Sequence, residues 1–464
     1  MNPNPFIRLT IAIFLAIAVA AGGCRKAFLA QRPSSNLLIP NSLSVLQELL
    51  DNERVMNVSP ALGEVSADNY FLTSNTWTSL DTKDYNAYVW AADLYQGQGS
   101  VPDWDLPYQQ VFYANTVLQG LAQIRPDSTE VAEWNKLEGW ALFSRAFAFF
   151  NIAELFAKPY DSATAGMDPG IPIRLSPDIN EKTTRATMQS TYDQILDDLH
   201  RAAAFLPVTV PGNNLNRPSR LAAQALLARI YLSMRVYDSA GWYANTVLQA
   251  YPFLLDYNSL NVGGFVPFAD AMREVLFQAN FPVVGNFLEG IVCRGCVVDT
   301  SLVDSYDSND LRRPAFYFQR AADTFNMKGS YAGSVFPFSG LATDEMYLIR
   351  AESEARAGNA AGAINDVNTL LAHRWRTGSF TAETSMTAPQ ALDTVLAERR
   401  RELAFRGIRW SDLRRLNQEG RLDTLHRVIN GQVYTLFPNS DLYTLPIPPD
   451  VIRFSGIMQN PREP

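Results

Sequence analysis

The sequence predicts a mostly α-helical fold, a tetratricopeptide-like helical-repeat scaffold with long loop-rich insertions. Two observations carry this expectation. From residue 105 onward, apolar residues recur at helical spacing and are interleaved with small ones. Two stretches, residues 57 to 104 and 253 to 340, break that rhythm with Gly, Pro, Asn, Ser and aromatics, and loops this long are usually functional. Hydrophobic residues make up 47% of the 464-residue chain and charged residues 19%, the balance of a globular protein. The formal charge of -8 repels phosphate backbones and argues against a nucleic-acid function.

In chain order, residues 1 to 23 read as a bacterial lipoprotein signal. Arg8 gives the positive start, Leu9 to Ala20 the apolar run, and Ala21-Gly22-Gly23-Cys24 the small-residue cleavage box. Cys24 is then the lipidated N-terminus, and residues 24 to 464 form one globular domain tethered to a membrane surface. An ordinary secreted leader, cut near Ala21, is the alternative.

Leu137 to Phe156 carries a broad apolar face, and Thr187 to Leu206 a second one, stopped by Pro207 and Pro211. Arg220 to Pro252 reads as a helix pair in which Ala228 and Ala240 allow close approach. Glu345 to Arg374 repeats the arrangement with Ala351, Gly358 and Ala363. The two pairs are far apart in sequence, so they are repeats interrupted by an insertion and not a tandem array.

The Arg-rich segment 398 to 415 holds seven arginines interleaved with Glu398, Glu402 and Asp412. It is expected to form a structural ion-pair network that includes a Glu402–Arg406 pair and packs Trp410. Nine aromatics lie between Trp77 and Tyr113, over twice the density of the 11% chain average. Trp104, Tyr108, Phe112 and Tyr113 sit at helical spacing and are expected in the core. Trp77 lies among Thr, Ser and Asn with no period to bury it, and is expected to be exposed as a ligand platform. Asp68, Asn69, Tyr70 and Tyr85 join it as candidate binding residues, with Phe265, Asn286 and Phe287 from the second insertion.

No motif for a nucleophile, a metalloprotease or a phosphate loop is present, so no enzyme activity and no cofactor are expected. The acidic pairs Asp197-Asp198 and Asp103/Asp105 read as solvated faces. Cys293 and Cys296 are expected to close a small disulfide loop in an exported protein, with free thiols or redox and metal chemistry as the alternatives. Three histidines, none at ligand spacing, give no metal site.

Several segments together resemble the SusD/RagB family of surface nutrient-binding lipoproteins. They are Cys24 to Leu29 with Pro33; Trp104-Asp105-Leu106-Pro107-Tyr108 with Asn115; Gly170-Ile171-Pro172 with Tyr192, Ile195, Asp198, Leu199 and Ala202; Tyr347 to Glu352; Glu398 to Arg414; and Leu445-Pro446-Ile447-Pro448 with Gln459-Asn460-Pro461. The resemblance implies a repeat-helix scaffold whose inserted loops bind a glycan or peptide. It also implies a TonB-dependent outer-membrane transporter as partner, and lipid-anchored display at the outer membrane. Arg25-Lys26 stand where acidic residues usually favour surface display, which leaves the leaflet open. A helical-repeat scaffold that binds another envelope protein, with no nutrient of its own, is the alternative reading.

Overall fold

The structure is a computed structural model and describes residues 42–182, 184–268, 272–281, 295–334 and 336–462. The expected leader, Cys24, Asn286, Phe287 and Cys293 lie outside the described residues.

Short elements come first: α1 (Leu43–Leu50), α2 (Glu53–Met56), α3 (Leu62–Ser66), β1 (Tyr70–Leu72), α4 (Ser74–Thr78) and α5 (Thr82–Tyr88). Long helices follow, α6 (Pro102–Leu121) and α7 (Val131–Phe156), then the ribbon β2 (Pro169–Pro172) and β3 (Arg185–Thr187), and α8 (Met188–Phe205). Pro102 opens α6 at a position where a missing N–H costs nothing. Thr187 caps α8 by accepting from the Ser190 amide. The stripe Tyr192, Ile195, Leu199 and Ala202 is buried, as the sequence period requires.

Asp198 and Asp103 depart from the solvated reading. Asp198 is fully buried and takes both a 2.8 and a 2.7 Å bond from Arg145, whose third nitrogen reaches Asn115 at 2.9 Å. This one guanidinium ties α6, α7 and α8 together. Asp103 accepts from the Ala61 and Leu62 amides at 2.7 and 2.9 Å, so it satisfies the open N-terminus of α3.

The predicted helix pairs are α9 (Arg220–Ser233) with α10 (Tyr237–Ala250), and α13 (Thr343–Arg356) with α14 (Ala360–Ala372). Ala228, Ala240, Ala351 and Ala363 are all fully buried. Although 92 residues separate α10 from α13, the two pairs stack directly. A Cβ on Gly241 of α10 would stand 2.7 Å from the Ser353 Cβ of α13, so only glycine permits this approach.

Between the pairs lie β4 (Val275–Phe277), β5 (Cys296–Val298), α11 (Thr300–Asp304), α12 (Arg312–Phe316), β6 (Tyr317–Ala321), β7 (Thr324–Met327) and β8 (Leu341–Ala342). The chain ends with α15 (Ala388–Glu402), α16 (Arg409–Asn417), the hairpin β9 (Leu425–Ile429) and β10 (Gln432–Leu436), and α17 (Pro449–Ser455). No helix among the described residues is long and apolar enough to cross a membrane.

The Arg-rich segment is an ion-pair network, but its partners differ from the expected i,i+4 pair. Glu402 bonds Arg374 at 2.8 Å and Arg312 at 3.0 Å, while Arg406 bonds Asp344 at 2.9 Å. The reason is backbone geometry: Phe405 (φ 60°) and Gly407 (φ 73°) are left-handed, so the helix breaks between α15 and α16. Asp412 is shared by Arg399 and Arg415, each at 2.8 Å. Trp410 is buried beside Tyr443, as its motif position suggests.

Candidate functional site

The two loop-rich insertions meet in one strand pairing. Strand β1 runs antiparallel to β5, with Tyr70 opposite Val298, Phe71 opposite Val297 and Leu72 opposite Cys296. The Thr73 amide continues the contact to the Gly295 carbonyl at 3.0 Å. Asn326 of β7 donates from Nδ2 to the Cys296 carbonyl at 2.6 Å, and β7 pairs in turn with β6. Strands from residues 57 to 104 and 253 to 340 thus lie side by side.

Strand β6 contributes to an aromatic pair with one open ring. Phe265 is 64% exposed, and its ring meets Phe318 of β6 edge-on at 5.9 Å. The Arg320 guanidinium lies 4.9 Å from the Phe318 ring centre, and its Nε donates to Asn326 Oδ1 at 2.9 Å. Val266 beside the platform and Phe71 on β1 are also exposed. Apolar ring faces of this kind cover the C–H face of a sugar, while a fixed guanidinium bonds hydroxyl or carboxylate oxygens.

Trp77 corrects the sequence expectation, since it is only 4% exposed. Its ring stacks on Tyr85 at 3.8 Å and its Nε1 donates to the Tyr85 carbonyl at 2.9 Å. Tyr434 of β10 packs on it at 6.2 Å. The polar residues around Trp77 do not mark an open loop: Thr73 caps α4 by accepting from the Thr76 amide, and that one-turn helix points the indole inward. Tyr85, half-buried, has a ring face occupied by Trp77.

Asn69 and Tyr70 are buried too, which is a second correction. Asn69 Nδ2 donates to Glu64 Oε1 at 2.8 Å, and the Tyr70 hydroxyl donates to the Val65 carbonyl at 2.7 Å. Asp68 is half-buried and clamped by Arg409 Nε and Nη2 at 2.6 and 2.8 Å. Burial pushes its carboxyl up, but the charges of Arg409 and Arg400 outweigh that and hold it well below the usual range. Burial pushes Glu64 up to about 7, against the Asn69 and Gly407 bonds that lower it. Cys296 is buried in β5, and Cys293, its expected partner, lies outside the described residues.

Of the described candidates, Phe265 alone is openly presented; Phe318, Arg320 and Phe71 were not foreseen. The signal for Phe318 and Arg320 was thin: the run Tyr317-Phe318-Gln319-Arg320 before Ala-Ala-Asp, a hairpin whose turn residue Asp323 takes φ 54°. Trp104 is buried as expected, but Tyr108, Phe112 and Tyr113 are only half-buried. Tyr108 and Phe112, with Pro172, Ile179 and Ile457, line a groove of about 490 Å³ between α6 and α17.

Three buried carboxylates, Glu274, Asp344 and Glu402, gather within 4.8 Å, a spacing that suits a cation. Arginines already supply the positive charge. Arg374 bridges Glu274 and Glu402 at 2.6 and 2.8 Å, and Arg406 holds Asp344.

Two family profiles match the chain. One, described as starch-binding and associating with the outer membrane, matches residues 28–232, and the other, the SusD family, matches residues 343–462. The chain is 24% identical over 426 residues to SusD-like protein P2 of Formosa agariphila, covering 77% of this chain and 79% of that protein. A SusD superfamily structure from Bacteroides thetaiotaomicron superposes with TM-score 0.73 at 21% identity, over 91% of this chain and all of the other. A SusD-like carbohydrate binding protein from Bacteroides vulgatus superposes with TM-score 0.68 at 18% identity, over 90% and 97%. No catalytic family is among these matches.

Proposed function

Because the chain belongs to the SusD family, we propose that it is a non-enzymatic carbohydrate-binding lipoprotein that presents its ligand on the face joining the two insertions. A lipid on Cys24 holds it at the outer membrane, and it passes its ligand to a TonB-dependent transporter. The observation that carries the binding reading is exposed Phe265 packed against half-buried Phe318 of β6, with Arg320 beside it, all in the second loop-rich insertion. The description of the profile over residues 28–232 and the name of the Bacteroides vulgatus neighbour support sugar as the ligand class. Catalysis has little to stand on, because Asp103 and Asp198, from the paired acids of the sequence, are tied to backbone amides and to Arg145. A glycosidase needs two carboxyls facing each other across a substrate.

The test is native gel electrophoresis through soluble polysaccharides, followed by incubation of any retarding polymer with the protein. Retardation without release of reducing ends supports the reading; release of reducing ends contradicts it. Membrane fractionation of Cys24→Ser tests the anchor, with release into the soluble envelope fraction expected. The second reading, a scaffold for another envelope protein, is favoured by the groove beside α6, since Ile179, Phe454 and Met458 expose apolar surface nearby.

A further inference from the structure

Lys328, the residue that follows β7, is a lysine in an interior place, only 5% exposed. Its ammonium donates to the Val262 carbonyl at 2.5 Å and to the Pro314 carbonyl at 2.7 Å. Its backbone amide donates to the Phe316 carbonyl at 2.7 Å. Both partners of the ammonium are neutral carbonyls, and no carboxylate among the described residues pairs with it. A buried charge without a counter-ion is a costly choice, and burial lowers its pKa from the ordinary lysine range. A methionine would fill the same space without that cost. What the ammonium adds is direction, because its N–H groups hold carbonyl oxygens at fixed distances.

The two carbonyls belong to the segments that carry the platform rings. Val262 lies three residues before Phe265, in a turn closed by the Gly264 amide on the Asn261 carbonyl at 2.9 Å. Pro314 lies in α12, which runs directly into β6 and so into Phe318. On the far side of Phe265, Phe268 is buried against Phe316 at 5.9 Å and Tyr257 at 5.5 Å. The chain leaving β7 passes close by: a Cβ on Gly329 would stand 2.9 Å from the Ser334 carbonyl oxygen and 4.0 Å from that of Phe265. The Phe265 ring itself has one edge contact, to Phe318, and is otherwise in solvent. Its place is therefore set by the backbone on either side, held by Lys328 before it and Phe268 after it.

We propose that Lys328 is the positioning residue of the Phe265–Phe318 platform, clamping the loop of one ring to the segment of the other; this rests on the reading of that platform as the binding site. The ammonium acts through Phe265 and does not touch the ligand. Holding the loop before the ligand arrives removes an ordering cost that binding would otherwise carry.

The test compares the full chain with Lys328→Met, which keeps the side-chain length and removes the donors. Hydrogen exchange of the backbone amides at 262–266 is expected to rise about tenfold or more, the scale of a lost charge-assisted bond, with α6 to α8 unchanged. Affinity electrophoresis through soluble starch, pectin and xylan reads binding separately. Against a polymer that retards the parent, Lys328→Met should weaken binding about fivefold or more. Added to Phe265→Ala it should cost less than about twofold further, since both changes act on one ring. Should Lys328→Met fail to fold, Lys328→Gln, which keeps an N–H donor on a shorter stem, is measured in the same way. Parent-like exchange at 262–266 would overturn the proposal, as would losses from Lys328→Met and Phe265→Ala that multiply. Parent-like binding by Lys328→Met beside a weakened Phe265→Ala contradicts the clamp alone, whereas parent-like binding by Phe265→Ala contradicts the platform reading beneath it.

Discussion

Trp77 and Phe265 each sit in a loop-rich insertion, Trp77 among Thr, Ser and Asn and Phe265 just after two glycines, yet Trp77 is 4% exposed and Phe265 64%. What separates them is distant chain. Tyr85 stacks on one face of Trp77 from the next helix, and Tyr434 arrives from the C-terminal hairpin. Phe265 meets Phe318 only at an edge and is otherwise open. The hydrogen bond from Trp77 Nε1 completes the contrast, because a buried indole needs a partner and a phenyl ring does not. An aromatic in a polar stretch is therefore closed when a later segment caps it and open when none does. In this fold, Trp77 of the first insertion is a closed aromatic support, and Phe265 of the second is presented to solvent.

The largest effect that would break this comparison concerns stability. Trp77→Ala should destabilise the protein by about 3–5 kcal/mol, the scale of a large ring removed from a core, read by urea denaturation. A loss under about 1 kcal/mol would mean that the ring is not enclosed as described.

Glu64, which accepts from Asn69 beneath the same region, gives a pH signature. Its folded pKa of about 7 lies above the ordinary 4.5, so the folded form binds a proton more tightly than the unfolded chain does. Its contribution is therefore most favourable below pH 4.5 and is lost as pH rises through 7, a change on the order of 3 kcal/mol. Asp68, two-fold bonded by Arg409, runs the opposite way: its stabilisation is present above the ordinary carboxylate range and is lost in acid. Melting midpoints between pH 5 and 8 should fall in the parent and flatten in Glu64→Gln. An unchanged slope in the variant would assign the pH dependence elsewhere.

The smallest expected effect sharpens the other side. Phe265→Ala should change unfolding stability by less than about 0.5 kcal/mol, as for an exposed side chain. A core-sized loss would show that the platform is part of the packing.

The helical scaffold was legible because its signals are local. Ala228 and Ala240 mark the close approach of one pair, and Gly241 lets that pair stack on the next, 92 residues after α10 ends. The Arg-rich network was legible as a network but not in its pairings. Sequence spacing assumed one continuous helix through Glu402 and Arg406, but the helix ends at Glu402 and left-handed Phe405 stands between the two. The adjacent acids Asp197 and Asp198 show the same limit: one side chain is 61% exposed and the other 0%, a difference set by where Arg145 of α7 lies. At the binding face, Thr73 and its neighbours looked like loop because capping residues and loop residues are the same types. Phe318 and Arg320 sit on a five-residue strand, too short for alternation to announce which side is open.

The central claim, carbohydrate bound on the face that joins the two insertions, is tested most directly by calorimetric titration of the polysaccharide that retards the protein in native gels. The parent should bind, and Phe265→Ala and Phe318→Ala should each weaken binding by about 1–3 kcal/mol, the range of a lost aromatic anchor, with an unchanged melting midpoint for Phe265→Ala. Parent-like affinity in both variants would contradict the account and move the ligand away from this face.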